Sequence, residues 1–149
     1  MKTVIRLLAM IGVVFSLSAQ AELEIYKDYD LSSEIVSMTT VRIDPNMQDV
    51  YLEGLRDTWV KAVNIEKKLG HIQDWKIYAS ELPQSGEFNL VLMVMFKNSA
   101  DLEPNQKKYN AFMQKWGEEN QKKSRKIVKT YPDVRELTGE YRLRELVIK

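Results

Sequence analysis

The sequence predicts an α+β domain of order β-α-β-β-α-β, and three observations carry the prediction. First, the segment Phe88-Asn89-Leu90-Val91-Leu92-Met93-Val94-Met95-Phe96 is largely apolar at both parities and contains no Gly or Pro. That suits a central strand covered on both faces. Second, residues 47–69 and 105–129 change to a helical period. Third, β-rich runs at 34–43, 75–81 and 140–149 complete the alternation.

Residues 1–21 read as an export signal. Lys2 and Arg6 form a basic start, residues 7–17 a short apolar core, and Ala19-Gln20-Ala21 a small-x-small cleavage pattern. The core is too short for a comfortable bilayer span, so cleavage after Ala21 and a periplasmic or secreted protein are expected, without stable membrane insertion. Removing 21 residues from 149 leaves 128, residues 22–149, one domain of ordinary size. The signal takes two of the 22 basic residues and none of the 21 acidic ones. The remaining net charge of −1 gives no reason to expect a nucleic-acid partner. With no cysteine, the domain relies on its core rather than disulfides, and thiol catalysis, iron–sulfur clusters and thiolate zinc sites are excluded.

Residues 22–33 read as an irregular lead-in. The strand at 34–43 is rich in β-branched residues and stops at Asp44-Pro45-Asn46, where Asp44 or Asn46 is available to cap the helix that follows. In that helix Leu52, Leu55, Trp59, Ala62, Val63 and Leu69 share a stripe, and Gly70 ends it. Trp75 opens the second strand, and the turn-rich 82–86 leads into the central strand as a hairpin. Asp101 or Asn105 is available to cap the second helix. Tyr109, Phe112, Met113, Trp116, Ile127 and Val128 form its inner face. Residues 117–126 lack any apolar side chain, so the helix either breaks there or projects past the sheet. Gly139 introduces the last strand.

With right-handed crossovers this order gives the split βαβ, or ferredoxin-like, fold: two helices on one face of a four-stranded antiparallel sheet. The helices cover Phe88, Leu90, Leu92, Val94 and Phe96, with Thr39, Val41 and Ile43. Val36, Met38, Val91, Met93 and Met95 then lie on the other face. A second copy meeting sheet to sheet is the economical cover, so a homodimer is expected.

In this order of elements the chain resembles the dimeric α+β barrel superfamily, which includes antibiotic-biosynthesis-type monooxygenases, EthD-like and NIPSNAP-like proteins. More narrowly, Met38-Thr39-Thr40-Val41-Arg42-Ile43, Thr58-Trp59 and Arg144-Glu145-Leu146-Val147-Ile148-Lys149 resemble a group of small exported bacterial proteins without an assigned activity. The resemblance implies a pocket between sheet and helices or between protomers. It does not imply a particular activity.

Polar groups sharing the methionine face are the pocket candidates: Thr40, Arg42, Tyr78, Asn89 and Arg144, beside Met93 and Met95. The last strand leaves two parities open, with either Arg142 and Arg144 or Tyr141 and Glu145 facing inward. An arginine beside a tyrosine in an apolar pocket suits a carboxylate, phenolate or enolate. A cross-strand pair such as Arg42 with Glu145 is the simpler role. His71, the single histidine, reads as an exposed turn residue. No histidine spacing suits a metal, and the second helix offers Trp116 but no histidine for haem, so no cofactor is expected. Trp59 and Trp116 read as core. Three functions follow in order. The first is a binding module for a small, partly apolar molecule. The second is a cofactor-independent enzyme of monooxygenase or isomerase type. The third is a structural or interaction protein without a ligand.

Overall fold

The computed structural model describes residues 22–149; residues 1–21, where an export signal is expected, lie outside the described residues. Its elements are β1 (Tyr29–Leu31), β2 (Ile35–Ile43), α1 (Gln48–Leu55), α2 (Lys61–Lys68), β3 (Asp74–Ala79), β4 (Leu90–Phe96), α3 (Gln106–Val128), β5 (Arg135–Leu143) and β6 (Leu146–Ile148). The main sheet runs β3-β4-β2-β5, every neighbour antiparallel. The two most apolar strands, β2 and β4, occupy its centre. This is the α+β, ferredoxin-like arrangement.

Direct cross-strand partners share a face, so the register sorts the side chains. Val41 and Ile43 of β2 and Leu90 and Leu92 of β4 pack with Tyr51, Leu55, Tyr131 and Val134 in one buried cluster. Trp59, Ile77 and Ile127 close over its margin. Trp59 meets Trp75 edge-on at 5.5 Å, and Trp75 Nε1 donates to Asn64 Oδ1 at 3.0 Å. Trp116 is buried and stacks on Phe112 at 5.8 Å.

The first helix is continuous but not uniform. Between α1 and α2, Arg56–Val60 form a π turn, which inserts a residue into the helical repeat. Within it Thr58 is buried, and its hydroxyl donates to Gly54 O at 2.8 Å. Neither expected side-chain cap forms: Met47 takes the N-cap position, and Asn46 instead adopts a left-handed φ of 65°. At the far end Gly70 has φ 70°, Gly70 N donates to Lys67 O, and His71 N donates to Glu66 O. This is a glycine-terminated helix end with both returning bonds made.

Of the two options for residues 117–126, the break holds. Gly117 has φ 72° and ψ 164°, a conformation essentially confined to glycine, and it divides α3 into two helical arms. Asn105 caps the first arm, its side chain accepting from Lys108 N at 2.9 Å. Lys123 of the second arm donates to Asp57 Oδ2 at 2.8 Å, and Lys61 lies 3.3 Å from the same carboxylate. Hydrogen bonds from Lys123 and Lys61 hold the Asp57 carboxyl below its ordinary value. Tyr109 and Val128, expected on the inner face, are exposed, and Trp116 is the buried side chain of α3.

Three further expectations are corrected. Phe88 lies outside β4 and is exposed, because Asn89 uses its side chain to end the neighbouring strand. The last strand is not one run over 140–149. β5 starts at Arg135, carries Gly139 within it, and ends at Leu143. The lead-in is not wholly irregular, since β1 within it pairs antiparallel with β6, Leu31 opposite Leu146. Ser32 N donates to Glu145 O at 3.0 Å, drawing the chain out of the main sheet and into this separate two-stranded ribbon. No helix among the described residues is long and apolar enough to cross a membrane.

Candidate functional site

The helix-free face of the main sheet carries three complete rows. Asp74, Met95, Val36 and Leu143 form the first, and Lys76, Met93, Met38 and Tyr141 the second. The third holds Tyr78, Val91, Thr40 and Gly139. Met38, Met93 and Met95 lie together at the centre, each half-buried. Among the described residues the buried cluster lies on the opposite face, where Tyr51 and Leu55 of α1 pack with Val41, Ile43, Leu90 and Leu92. The apolar patch and its flanking polar side chains are the candidate site.

The register settles the open parity of the last strand. Tyr141 pairs with Met38 and stands on this face, while Arg142 pairs with Ser37 on the other. The Tyr141 ring lies over Gly139, so that a Cβ added at Gly139 would meet ring atoms at 2.7 Å. An aromatic ring here covers backbone that glycine leaves bare. Sequence reasoning offered Tyr141 only as one of two alternatives; the signal that selects it is the Gly139-x-Tyr141 spacing on one face.

The seven candidate residues separate into two groups. Met93, Met95 and Tyr78 are on the open face and accessible from it. Thr40 shares their parity but is buried: its hydroxyl donates to Gly139 O at 3.3 Å and accepts from Thr138 Oγ1 at 2.9 Å. It secures the register shift between Thr40 and Val41, where β5 carries an extra residue. Arg42 is engaged by the β3–β4 loop, its Nε donating to Glu87 O at 3.0 Å and its Nη2 to Gly86 O. Its strand partner is Glu136, not Glu145. Asn89 clamps the end of β2, accepting from Ile43 N at 2.8 Å and donating to Ile43 O at 2.9 Å. Arg42 and Asn89 do meet, in a cleft of about 290 Å³ at the sheet rim with Asp44, Gln48 and Gln84. Arg144 lies beyond β5, where Nη1 donates to Ser32 O at the ribbon. The hydroxyls left facing the patch are those of Tyr78 and Tyr141.

His71 is not an exposed turn residue. Its side chain is 13% exposed, and Nδ1 lies 2.5 Å from Glu66 Oε2. Among the described residues no group of three or more His, Asp or Glu side chains is placed to hold a metal ion.

Behind the sheet, Tyr51 and Tyr131 meet edge-on at 5.1 Å, and the Arg135 guanidinium lies 5.2 Å from the Tyr131 ring centre. Tyr131 Oη and Thr58 Oγ1 are 2.7 Å apart. Burial is the largest influence on both phenols and raises their pKa values, although Arg135 pulls the other way. A raised native value favours the neutral phenol. The resulting stability is complete below the ordinary phenol value of 10.0 and is lost as pH rises through the raised native values. Urea midpoints are therefore expected to fall above pH 10, and Tyr51→Phe is expected to flatten that fall. An unchanged slope in the variant would remove Tyr51 as a source.

The fold and this face together define an α+β, ferredoxin-like domain with an apolar sheet surface. No protein-family model matches the chain, and no curated protein matches it. Solved structures similar to it include HapK from Hahella chejuensis, at 11% identity over 74% of this chain and 91% of that one, with a TM-score of 0.45. A dimeric protein of unknown function and ferredoxin-like fold from Bacteroides fragilis is similar at 13% identity, covering 80% of this chain and all of the other, with a TM-score of 0.41. A dimeric ferredoxin-like protein from an uncultured marine organism is similar at 11% identity over 79% and 90%, with a TM-score of 0.43.

Proposed function

We propose that the chain is an exported, periplasmic or secreted homodimer whose helix-free sheet faces meet and enclose a pocket for a small, partly apolar molecule. The observation that carries this reading is the patch of Val36, Met38, Val91, Met93 and Met95, half-buried and on the face away from the buried cluster. A soluble chain gains by burying such a surface, and one copy of the face is the natural complement of another in a two-fold assembly. Flexible methionine side chains adapt to a ligand held between the faces. Tyr78 and Tyr141 supply hydroxyls that orient it. The pattern in residues 1–21 supports export.

Met93→Glu tests the assembly. In a two-fold interface the substitution introduces two carboxylates into apolar surroundings, and dimer dissociation is expected to strengthen by roughly a hundredfold or more. Native mass spectrometry of the mature protein, purified from an exporting host without refolding, reads both parts of the proposal. A dimer carrying extra mass, reduced to monomer by Met93→Glu, is the expected result. A wild-type monomer, or a dimer that Met93→Glu leaves intact, overturns the interface. A dimer without bound mass that takes up no apolar compound is the result of a scaffold without a ligand.

A further inference from the structure

On the helix side of the sheet, remote from the methionine patch, the end of α2, the end of β4 and the approach to α3 surround a cavity of about 370 Å³. Val63, Ile72, Val94 and Phe96 give it an apolar lining, and His71 stands in the same wall. Helix termination aims the histidine. With Gly70 left-handed and His71 N bonded to Glu66 O, the chain folds back over the last helical turn, which brings the imidazole to the Glu66 side chain.

The Glu66 carboxylate accepts and cannot donate, so the proton of the neutral ring belongs on Nδ1. In that neutral form Nε2 is a lone-pair acceptor, whereas in the imidazolium it would donate. It has no hydrogen-bond partner among the described residues and is not sealed from solvent. An oriented acceptor beside an apolar cavity selects a ligand with one hydrogen-bond donor on an apolar body.

Charge narrows the class further. The remaining charged groups in the lining are Asp101, Glu103 and Lys108, with Glu66 already described. Lys108 Nζ is paired to Asp101 Oδ1 at 2.8 Å. Glu66 and Glu103 therefore leave the site net negative, which repels carboxylates and phosphates. We propose that this cavity is a second ligand site for small, non-anionic aromatic molecules bearing one O–H donor, the phenol class. The site is built within one protomer and does not depend on the sheet-face dimer.

The single histidine makes the test direct, because one imidazole gives one pair of ring-nitrogen resonances. The mature protein, labelled with 15N in the ring, is titrated with p-cresol, toluene and p-toluate while the ring shifts report the neutral form. p-Cresol is expected to move the Nε2 resonance saturably. Toluene, lacking the donor, and p-toluate, carrying the charge, are each expected to bind about tenfold more weakly or less. In Glu66→Gln the two tautomers are expected to mix, and the p-cresol affinity to fall. A Met93→Glu protein is expected to bind p-cresol as wild type does, so the dimer reading can fail while this site stands. The proposal is overturned by the absence of a saturable Nε2 shift up to the solubility of p-cresol. Equal binding of the three probes, or loss of binding in folded Met93→Glu, also overturns it.

Discussion

Leu92→Asp is expected to leave the protomer without a cooperative unfolding transition. Leu92 lies mid-strand in β4, opposite Thr39 on one side and Ile77 on the other, within the buried cluster beneath the helices. Removing a buried leucine side chain costs about 3–5 kcal/mol. The aspartate adds a charge among apolar neighbours, a further cost of several kcal/mol. Domains of this size are stable by about 5–15 kcal/mol, so the two losses consume most or all of the margin. Far-ultraviolet circular dichroism during a urea titration is the measurement. The neighbouring Met93→Glu, one residue along and on the other face, is expected to retain a sharp transition. A well-folded Leu92→Asp protein would mean that the covered and uncovered faces have been exchanged.

Gly54→Val is expected to produce the second large loss, about 3 kcal/mol, read as a lower urea midpoint with an unchanged slope. Helix propensity alone favours almost any replacement of a helical glycine, by up to about 1 kcal/mol for alanine. Packing decides otherwise. A Cβ at residue 54 would sit 2.9 Å from Tyr131 Cε1 and 3.2 Å from Ile127 Cγ2. The Tyr131 ring has little freedom to retreat, because its hydroxyl meets Thr58 while Tyr51 and Arg135 press on its faces and edges. Gly54→Ala separates the two effects: its propensity gain offsets part of the clash, so its loss should be smaller than that of valine. A neutral or stabilising valine would show that the Tyr131 contact is soft.

The two faces of β4 were legible because parity is a local property. Alternation along Leu90 to Phe96 assigned Leu90 and Leu92 inward and Val91, Met93 and Met95 outward, with no knowledge of what lay above or below. Gly70 was legible for a similar reason, since it marks the end of a helix; the break at Gly117 was only one of two options for residues 117–126. The misread features depend on distant partners. Nothing near Asn89 announces that its amide will clamp Ile43, and nothing near Arg42 announces that its guanidinium will bind loop carbonyls more than forty positions away. The β1–β6 pairing was hidden because each strand has only three residues and finds its partner at the opposite end of the fold. His71 was misread as exposed because the fold-back that follows Gly70 was taken for the end of the helix rather than for a route back to Glu66. The candidate face was therefore readable as a surface, while the roles of its polar groups were not.

The terminal ribbon also sets an order of events during synthesis. A chain delivered amino-end first presents Tyr29–Leu31 before any of the main sheet exists, yet that strand must wait for Leu146–Ile148 to arrive. The intervening residues form the whole four-stranded sheet and its helices, so the ribbon closes around a domain already folded. Closing so long a loop before the sheet forms would carry a larger entropic cost than closing it afterwards, when the compact domain holds its ends near each other. Closure pairs the backbones without hiding the side chains: Ile25, Leu31, Leu146 and Ile148 remain exposed in the closed ribbon. The ribbon thus ties Tyr29–Leu31 to Leu146–Ile148 across the whole main sheet, so its pairing depends on every element between them.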